Sequence, residues 1–185
     1  MRLRELMRED LPTLNGWRND REVVDWLGAN FAFVGPEVDS AWFDGYLASR
    51  DRNVRLALLG DGDELVGCVY LLGISWVHRS AEFAIMIGRK DYRHRGLGTR
   101  ATRAMLDHAF SDLQLHRVWL HVNHDNERAR RMYERIGFQH EGTLRSSAFK
   151  NGHYLDVDVM AILDSEYVRG ESAATPLPSA SSVGR

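Results

Sequence analysis

The chain has 185 residues, a net charge of −2 and an apolar share of 44%, which is typical of a globular domain with its own core. The near-neutral charge gives no reason to expect nucleic-acid binding, so any anion site has to be local. The single cysteine excludes a disulfide framework within the chain, and no apolar stretch approaches the ~20 residues of a membrane-spanning helix. Because MRLRELMRED contains no apolar signal core, we expect a cytoplasmic protein.

The first part of the chain predicts a short strand followed by helices. Asp10 is expected to be the N-cap of the first helix, with Pro12 in its first turn. Residues 31–40 are expected to form a loop, and Ser40 to cap a second helix, AWFDGYLASR.

A run of strands follows. RLALLG and ELVGCVYLLG flank the turn GDGD, which predicts a hairpin over residues 55–73. AEFAIMIG, residues 81–88, predicts a third strand. Cys68 lies within the apolar run of the hairpin, so we expect it to fill the core rather than to act as a nucleophile.

The second half alternates strands and helices. A helix is predicted over 98–110, a strand over 116–122, and a helix over 126–136 that Gly137 ends. FQHEGTLR is expected to pair with HYLDVDVMAIL across Asn151-Gly152. In that last strand apolar residues alternate with Asp156 and Asp158, which predicts one buried face. The pattern predicts a mixed α/β domain over 1–168 with a central sheet, followed by a flexible tail over 169–185.

The segment YRHRGLGTRATRAMLDHAF places arginines and two glycines directly before an amphipathic helix. It is not a dinucleotide fingerprint, because seven residues separate the strand from Gly96 and the next strand ends without an acidic residue for a ribose. It is not a P-loop, because no G-K-[ST] follows. Glycines that admit close approach, unpaired first-turn N–H groups and nearby arginines suit a diphosphate. The alternative is a solvated basic turn.

The pattern Arg93-x-x-Gly96-x-Gly98 resembles the acetyl-CoA-binding signature [QR]-x-x-G-x-[GA] of the GNAT N-acetyltransferase superfamily. The resemblance implies that this turn wraps the pyrophosphate of acetyl-CoA and that the following helix points at it. It also implies a set of cofactor-binding residues: Ile87, Arg93, His94, Arg95, Gly96, Leu97, Gly98, Thr99, Asn126 and Arg130.

A second segment, VWLHVNHDNERARRMYERIGF, resembles the family's strand, Asn and Tyr-bearing helix. Asn126, Arg130 and Tyr133 stand at i, i+4 and i+7, on one helix face. The resemblance implies that Asn126 hydrogen-bonds the pantetheine arm and that Tyr133 protonates the departing thiolate. Two alternatives remain: Tyr133 is a core tyrosine with a satisfied hydroxyl, and Asn123 or Asp125 caps the helix.

Several segments between residues 55 and 167 are similar to bacterial spermidine N-acetyltransferases and to ribosomal-protein N-terminal acetyltransferases. They include VHRSAEFAIMIG, RGLGTRA and FKNGHYLDVDVMAIL. The resemblance implies an α+β GNAT domain with a mixed, mostly antiparallel sheet flanked by helices. It implies direct acetyl transfer from acetyl-CoA to an amine in a ternary complex, and a homodimer or larger assembly.

An alkylammonium with a pKa near ~10 has to lose a proton before it can attack a thioester. Glu82, on a strand face shared with Ala84 and Met86, is the candidate base, directly or through water. The alternative is a structural ion pair with an arginine such as Arg79. His121-x-x-His124 lacks a third ligand at suitable spacing, so we expect no metal.

A polyamine acceptor requires several carboxylates near the cleft, whereas the stretch from Trp26 to Val34 is largely apolar and only Glu37 and Asp39 follow it. This stretch argues against strict polyamine specificity and leaves open a less charged amine: an amino sugar, an aminoglycoside-like compound or a peptide N-terminus. We expect a small-molecule primary amine, polyamine-like or an amino sugar. A protein N-terminus and a non-catalytic acyl-CoA sensor are the alternatives. Candidate acceptor-binding residues are Trp26, Phe31, Glu37 and His121; Trp26, Phe31 and Phe33 could equally form a dimer contact or pack against the sheet.

Overall fold

The structure, a computed structural model, describes residues 1–169, so the predicted tail lies outside the described residues apart from Arg169. The strands are β1 (Arg2–Glu5), β2 (Val54–Leu59), β3 (Leu65–Ser75), β4 (Ser80–Ile87), β5 (Arg117–Asn123), β6 (Gln139–Lys150) and β7 (His153–Leu163). The helices are α1 (Leu11–Arg18), α2 (Arg21–Val24), α3 (Pro36–Ala48), α4 (Leu97–Asp107) and α5 (Glu127–Ile136). Short 3-10 turns lie at Arg8–Asp10 and Lys90–Tyr92, and a π-helical turn at His108–Asp112 extends α4.

All seven strands form one sheet in the order β1-β2-β3-β4-β5-β7-β6. Every neighbouring pair is antiparallel except β4 and β5, which are parallel and joined by the crossover through α4. The predicted class, a mixed and mostly antiparallel sheet flanked by helices, is therefore confirmed.

The two faces of the sheet carry different side chains because successive strand residues point in opposite directions. Phe83, Leu120 and Met160 belong to one face, which packs under α4 and α5. Cys68 belongs to the other face, where a second core cluster includes α1 and α3 residues such as Leu14 and Phe43. We call these the α4/α5 face and the α1/α3 face.

Both predicted hairpins are present. β2 and β3 pair from Val54 to Leu59 across the predicted turn. At the tip of the β6–β7 hairpin Asn151 and Gly152 have φ of 51° and 87°, the left-handed conformation that asparagine and glycine adopt most readily in such turns. Strand β6 is longer than predicted and runs to Lys150.

The predicted starts of two helices need correction. Helix α3 begins at Pro36, so Ser40 lies inside it; proline suits a first helical position because its missing N–H has no partner there. Asp10 does stand at the N-cap position of α1, but its carboxylate accepts from the Met7 N–H at 2.8 Å and pairs with Arg4 at 2.7 Å. It therefore fastens the preceding turn to β1 instead of capping the helix.

The alternation predicted for β7 is correct for Val157 and Ala161, which are buried, but wrong for Asp158 and Val159. Asp158 is 0% exposed, whereas Val159 is only partly buried. Asp158 pairs with Val122 of β5 and so lies on the α4/α5 face, which helices cover. A two-residue period cannot tell which face is covered when both carry neighbours. Within residues 1–169 no helix is long and apolar enough to cross a membrane.

Candidate active site

Strands β4 and β5 separate along their length. They pair only where Ser80–Glu82 lies beside Arg117–Trp119, although β4 continues to Ile87 and β5 to Asn123. Since the two strands are parallel, α4 and α5 both begin beyond this diverging end. The result is a slot between two strands that opens toward two helix N-termini.

The predicted glycine turn lies at the mouth of that slot. Gly96 is the N-cap residue of α4 with φ of +71°, a left-handed conformation that favours glycine, and it provides no side chain to cap the helix. The amides of Leu97, Gly98 and Thr99 in the first turn have no intrahelical acceptors and carry the positive end of the helix dipole. A Cβ at Gly98 would lie 3.2 Å from the Met132 sulfur, so glycine here also lets α4 approach α5. The turn has the features of an anion site.

Three arginines lie around this turn. Arg93 donates from Nε to the Ile87 carbonyl at 3.2 Å, which fastens the turn to the end of β4. Arg95 is exposed, with its Cζ 5.7 Å from the Tyr92 ring. His94 Nε2 lies 3.0 Å from Nη1 of Arg128, in the first turn of α5. Sequence reasoning missed Arg128, because only the fold brings that turn of α5 beside residue 94.

The N-cap of α5 is Asn126 itself, so the predicted caps Asn123 and Asp125 are wrong. Its side-chain oxygen accepts from the Ala129 N–H at 3.2 Å. The side-chain amide group of Asn126 has no partner within residues 1–169, so its two N–H donors remain available beside the slot.

Tyr133 lies in the core, but its hydroxyl is not satisfied there. Its ring packs edge-on against Phe83 and Phe138, with centroids 6.2 and 5.5 Å away. No residue in the described part of the chain hydrogen-bonds the hydroxyl, and burial alone raises the Tyr133 pKa well above its ordinary value. In that same part, sealed side-chain nitrogen or oxygen atoms without an aligned hydrogen bond belong to Arg55, Glu64 and Arg130, and the Tyr133 hydroxyl is not among them. The Tyr133 hydroxyl therefore keeps contact with solvent, and the phenol stays protonated at neutral pH.

Glu82 faces the opposite side of the sheet, on the α1/α3 face. Its Oε1 lies 3.2 Å from Nδ1 of His121, which shares a β5 face with Trp119 at a ring distance of 5.0 Å. Arg79 does not pair with Glu82 but donates from Nε to the Gln114 carbonyl at 2.6 Å. The alternative prediction, an ion pair between Glu82 and Arg79, is therefore wrong, because the carboxylate contacts His121 instead. Glu82 and His121 are each about a third exposed, with side-chain values of 33% and 38%.

The remaining predicted acceptor residues lie apart from Glu82. Trp26 is exposed after α2, and Glu37 is exposed in the first turn of α3. Phe31 packs under Arg21, whose Cζ is 4.1 Å from the ring centroid. This loop contacts the β6–β7 hairpin tip, where Lys150 Nζ donates to the Val24 carbonyl at 2.7 Å. No described contact joins Trp26, Phe31 or Glu37 to Glu82, and their binding roles stay predictions.

Asp158 is the centre of a polar cluster that sequence reasoning missed. Its carboxylate accepts from Thr143 Oγ1 at 2.7 Å, lies 3.1 Å from His124 Nδ1 and 3.3 Å from His140 Nε2, and pairs with Arg130 Nε at 2.9 Å. Burial acts to raise the Asp158 pKa, but the hydrogen bonds from Thr143 and His124 and the charge of Arg130 outweigh it, so the pKa lies below its ordinary value.

This cluster fixes the side chain of Arg130, which the resemblance implied as a cofactor residue. Besides its ion pair with Asp158, Arg130 donates from Nη1 to the His124 carbonyl at 3.2 Å. Arg130 lies three residues before Tyr133, and these contacts connect α5 to the sheet and to the loop after β5. The two histidines of His121-x-x-His124 contact carboxylates on opposite faces of the sheet. No group of three or more potential metal ligands occurs among residues 1–169.

Comparison with known proteins agrees with this geometry. A family model described as an acetyltransferase (GNAT) domain matches residues 1–139. Spermidine N(1)-acetyltransferase of Escherichia coli (strain K12) is 35% identical over 170 residues, which cover 91% of this chain and 88% of that protein. YdaF of Bacillus subtilis (strain 168), provisionally named a ribosomal N-acetyltransferase, is 34% identical over 116 residues, covering 63% of this chain and 62% of YdaF.

A solved structure extends the comparison to the fold. The crystal structure of spermidine N-acetyltransferase from Vibrio cholerae in complex with CoA and spermine has a TM-score of 0.85 and 31% identity. The match covers 90% of this chain and 96% of that chain. The resemblance to both groups of acetyltransferases, predicted from the motifs, is confirmed.

Proposed function

This chain belongs to the GNAT acetyltransferase family, and we propose that it acetylates a primary amine of a small molecule by direct attack in a ternary complex. It is an N-acetyltransferase with acetyl-CoA as its cosubstrate. The acceptor and the roles of individual residues are the proposed parts.

The anion-binding turn fits the diphosphate of acetyl-CoA. The unpaired amides of Leu97, Gly98 and Thr99 are donors for phosphate oxygens, and Arg95 and Arg128 add positive charge. Asn126 has amide donors for the pantetheine arm, and the slot between β4 and β5 is open to an extended ligand. These residues would hold the cosubstrate with its thioester toward the middle of the sheet.

The transfer removes two protons from the nitrogen and supplies one to the sulfur. Glu82, beside His121, accepts the first proton from the ammonium, directly or through water, which leaves a neutral nitrogen able to attack the thioester carbonyl. The new C–N bond forms as the C–S bond breaks, and Tyr133 gives its proton to the departing thiolate. The acetylated nitrogen then loses its second proton, which restores the Tyr133 phenol through water. The products are the N-acetyl amine and the free thiol, and the proton held by Glu82 returns to solvent.

The observation that carries this proposal is the Tyr133 hydroxyl, which no residue among 1–169 hydrogen-bonds although the ring is packed in the core. The packed ring fixes the position of the phenol, and its proton has no protein acceptor, so it is available to a ligand. A departing thiolate is such an acceptor. Burial raises the pKa of Cys68, the alternative nucleophile for an acyl-enzyme route, to about 12, and its thiol is fully buried. Direct attack is therefore the simpler route.

Two kinds of acceptor are proposed. The relatives named for spermidine support a polyamine-like amine, and an amino sugar is the other small-molecule candidate. The likeness to YdaF makes a protein N-terminus the second candidate function. A cytoplasmic location and a homodimeric or larger assembly are proposed from the family resemblance alone.

Free-thiol release with a panel of amines tests the proposal. The panel contains polyamines, amino sugars, aminoglycosides and N-terminal peptides, and at least one small amine should give turnover. Acetyl-CoA at 100 times its Kd should stabilise the protein by about 2.7 kcal/mol, whereas NAD should not. Stabilisation by acetyl-CoA without thiol release from any amine would instead identify a non-catalytic acyl-CoA sensor.

A further inference from the structure

Arg55 in β2 lies on the same face of the sheet as Glu82. It pairs with Tyr70 of β3, which pairs in turn with Ala84 of β4, and Glu82 is one pleat further along β4. The Arg55 and Glu82 Cα atoms are two strand spacings apart across the sheet and two residues apart along the strand direction. This places them roughly 12 Å from each other. The two charges therefore lie at opposite ends of one stretch of the α1/α3 face.

The Arg55 guanidinium is surrounded by aromatic rings and has no acidic partner. Its Cζ lies 4.5 Å from the Trp42 ring centroid, 5.0 Å from that of Tyr70 and 5.7 Å from that of Tyr46. Among residues 1–169 the guanidinium forms no ion pair; the Tyr70 hydroxyl is its side-chain hydrogen-bond neighbour, and its Nε is sealed from solvent without a partner. The terminal nitrogens are not sealed. Desolvation lowers the Arg55 pKa, the direction expected for a cation without a counter-charge.

The acidic groups nearest to this arrangement have other partners. Asp39 of α3 is buried, pairs with Arg18 and accepts from the Asn15 amide at 2.7 Å. Glu5 accepts from the Tyr46 hydroxyl at 2.7 Å and pairs with Arg50. Aromatic faces attract a cation, but they accept none of the in-plane N–H bonds of a guanidinium. The Arg55 donors thus lack the carboxylate that such a site ordinarily contains.

A site for a polycation would carry several carboxylates, and the strands of this face do not. In β2 to β5, Glu82 is the only carboxylate on the α1/α3 face, and Arg55 offsets it. A second ammonium group on the acceptor would meet the positive Arg55 instead of a carboxylate. A carboxylate at the far end would receive a charge-assisted, two-pronged hydrogen bond from the guanidinium.

We propose that Arg55 binds an anionic group of the acceptor, so that the preferred substrate is an amine with a carboxylate at its far end. This inference rests on the proposed acetyl transfer to a small-molecule amine at the same site, and it replaces the polyamine-like amine and the amino sugar as the preferred acceptor. A linear ω-amino carboxylate with about five methylene groups is, when extended, shorter than the roughly 12 Å between the two Cα atoms, which leaves room for both side chains. Its amine would lie at Glu82 and His121, and its carboxylate at Arg55.

Three acceptors of matched length test the inference. ε-Aminocaproate, n-hexylamine and hexamethylenediamine carry a carboxylate, a methyl group and an ammonium group, respectively, at the end away from the reacting amine. We expect kcat/KM for ε-aminocaproate to exceed that for the other two by about tenfold or more. Arg55→Gln should abolish this preference, and Arg55→Lys should keep part of it. Arg52→Gln, an exposed change of the same kind three residues earlier, should leave it intact.

The outcomes separate the inference from the proposed function. Faster turnover of hexamethylenediamine than of ε-aminocaproate, or an unchanged ratio in Arg55→Gln, would mean that only water solvates Arg55 and would overturn the inference. Turnover of other amines without turnover of ε-aminocaproate overturns it too, while acetyltransferase activity stands. No turnover of any amine removes both. The ratio of kcat/KM values for ε-aminocaproate and hexamethylenediamine in the wild type tests the inference even if Arg55→Gln does not fold.

Discussion

Replacing Tyr133 with phenylalanine removes one hydroxyl and keeps the aromatic ring. The ring contacts with Phe83 and Phe138, at centroid distances of 6.2 and 5.5 Å, are available to phenylalanine as well. Two readouts can then be compared in one variant: the free energy of unfolding and the rate of thiol release. They separate a core tyrosine from a proton donor.

The expected change in stability is small. The Tyr133 hydroxyl has no hydrogen-bond partner within residues 1–169, so its removal breaks no hydrogen bond inside the protein. Such a change is neutral or slightly stabilising, within about 0.5 kcal/mol. Turnover should fall far more, because a positioned general acid contributes 10²–10⁴-fold. A loss of about 100-fold corresponds to ~2.7 kcal/mol in the activation barrier.

The assays are thiol release at saturating acetyl-CoA and urea-induced unfolding near neutral pH, with acetyl-CoA affinity measured separately. Affinity should change little, since the proton is given only as the C–S bond breaks. Unchanged turnover would return Tyr133 to the core. A loss of more than about 1 kcal/mol in stability would show that the hydroxyl is bonded inside the protein, and would also refute the reasoning.

The raised pKa of Tyr133 adds a check at high pH. Burial raises the folded pKa above that of the unfolded chain, so the corresponding stability is fully present below the ordinary tyrosine value of about 10. It is lost as the pH rises from there toward the folded pKa. The wild type should therefore lose more stability in strong alkali than Tyr133→Phe, and equal losses would contradict the assignment.

Three further substitutions test the rest of the site. Gly98→Glu should lower acetyl-CoA affinity at least tenfold with the fold retained, because it places a carboxylate in the anion turn, whereas Gly98→Ala should cost much less; equal affinities in calorimetry would refute the anion site. Glu82→Gln should reduce kcat/KM most at low pH, where more of the amine is protonated, and a pH-independent ratio to wild type would remove its role as base. Asp158→Asn should cost roughly 2–4 kcal/mol of unfolding free energy, because it leaves Arg130 without its buried counter-charge, whereas Asp156→Asn should cost under about 1 kcal/mol. Since the folded pKa of Asp158 is depressed, its stabilisation is present above the unfolded pKa of about 3.9 and is lost as pH falls through the folded pKa; a stability difference between the wild type and the Asp158→Asn variant that does not shrink in acid would contradict this.

The sequence predicted the positions of the candidate functional groups more accurately than the starts of the helices. The glycine turn, the strand carrying Glu82 and the helix carrying Tyr133 were predicted, because each depends on a local pattern of glycines, alternation or helical period. The start of α3 was wrong because a serine and a proline four residues apart both offer a helix start, and only packing decides between them.

Residue type and order therefore determined which groups this protein can use: a turn of main-chain amides, a carboxylate on a strand and a phenol on a helix. Tertiary structure decided which of these groups meet a partner. Asp158 is buried beside Arg130 and two histidines, while among residues 1–169 the Tyr133 hydroxyl is left without a hydrogen bond and Arg55 without a carboxylate. Strand alternation gives the side of the sheet on which a residue lies, but not what covers that side. Covering elements come from distant parts of the chain, and their packing sets the partners, the burial and the pKa of each group.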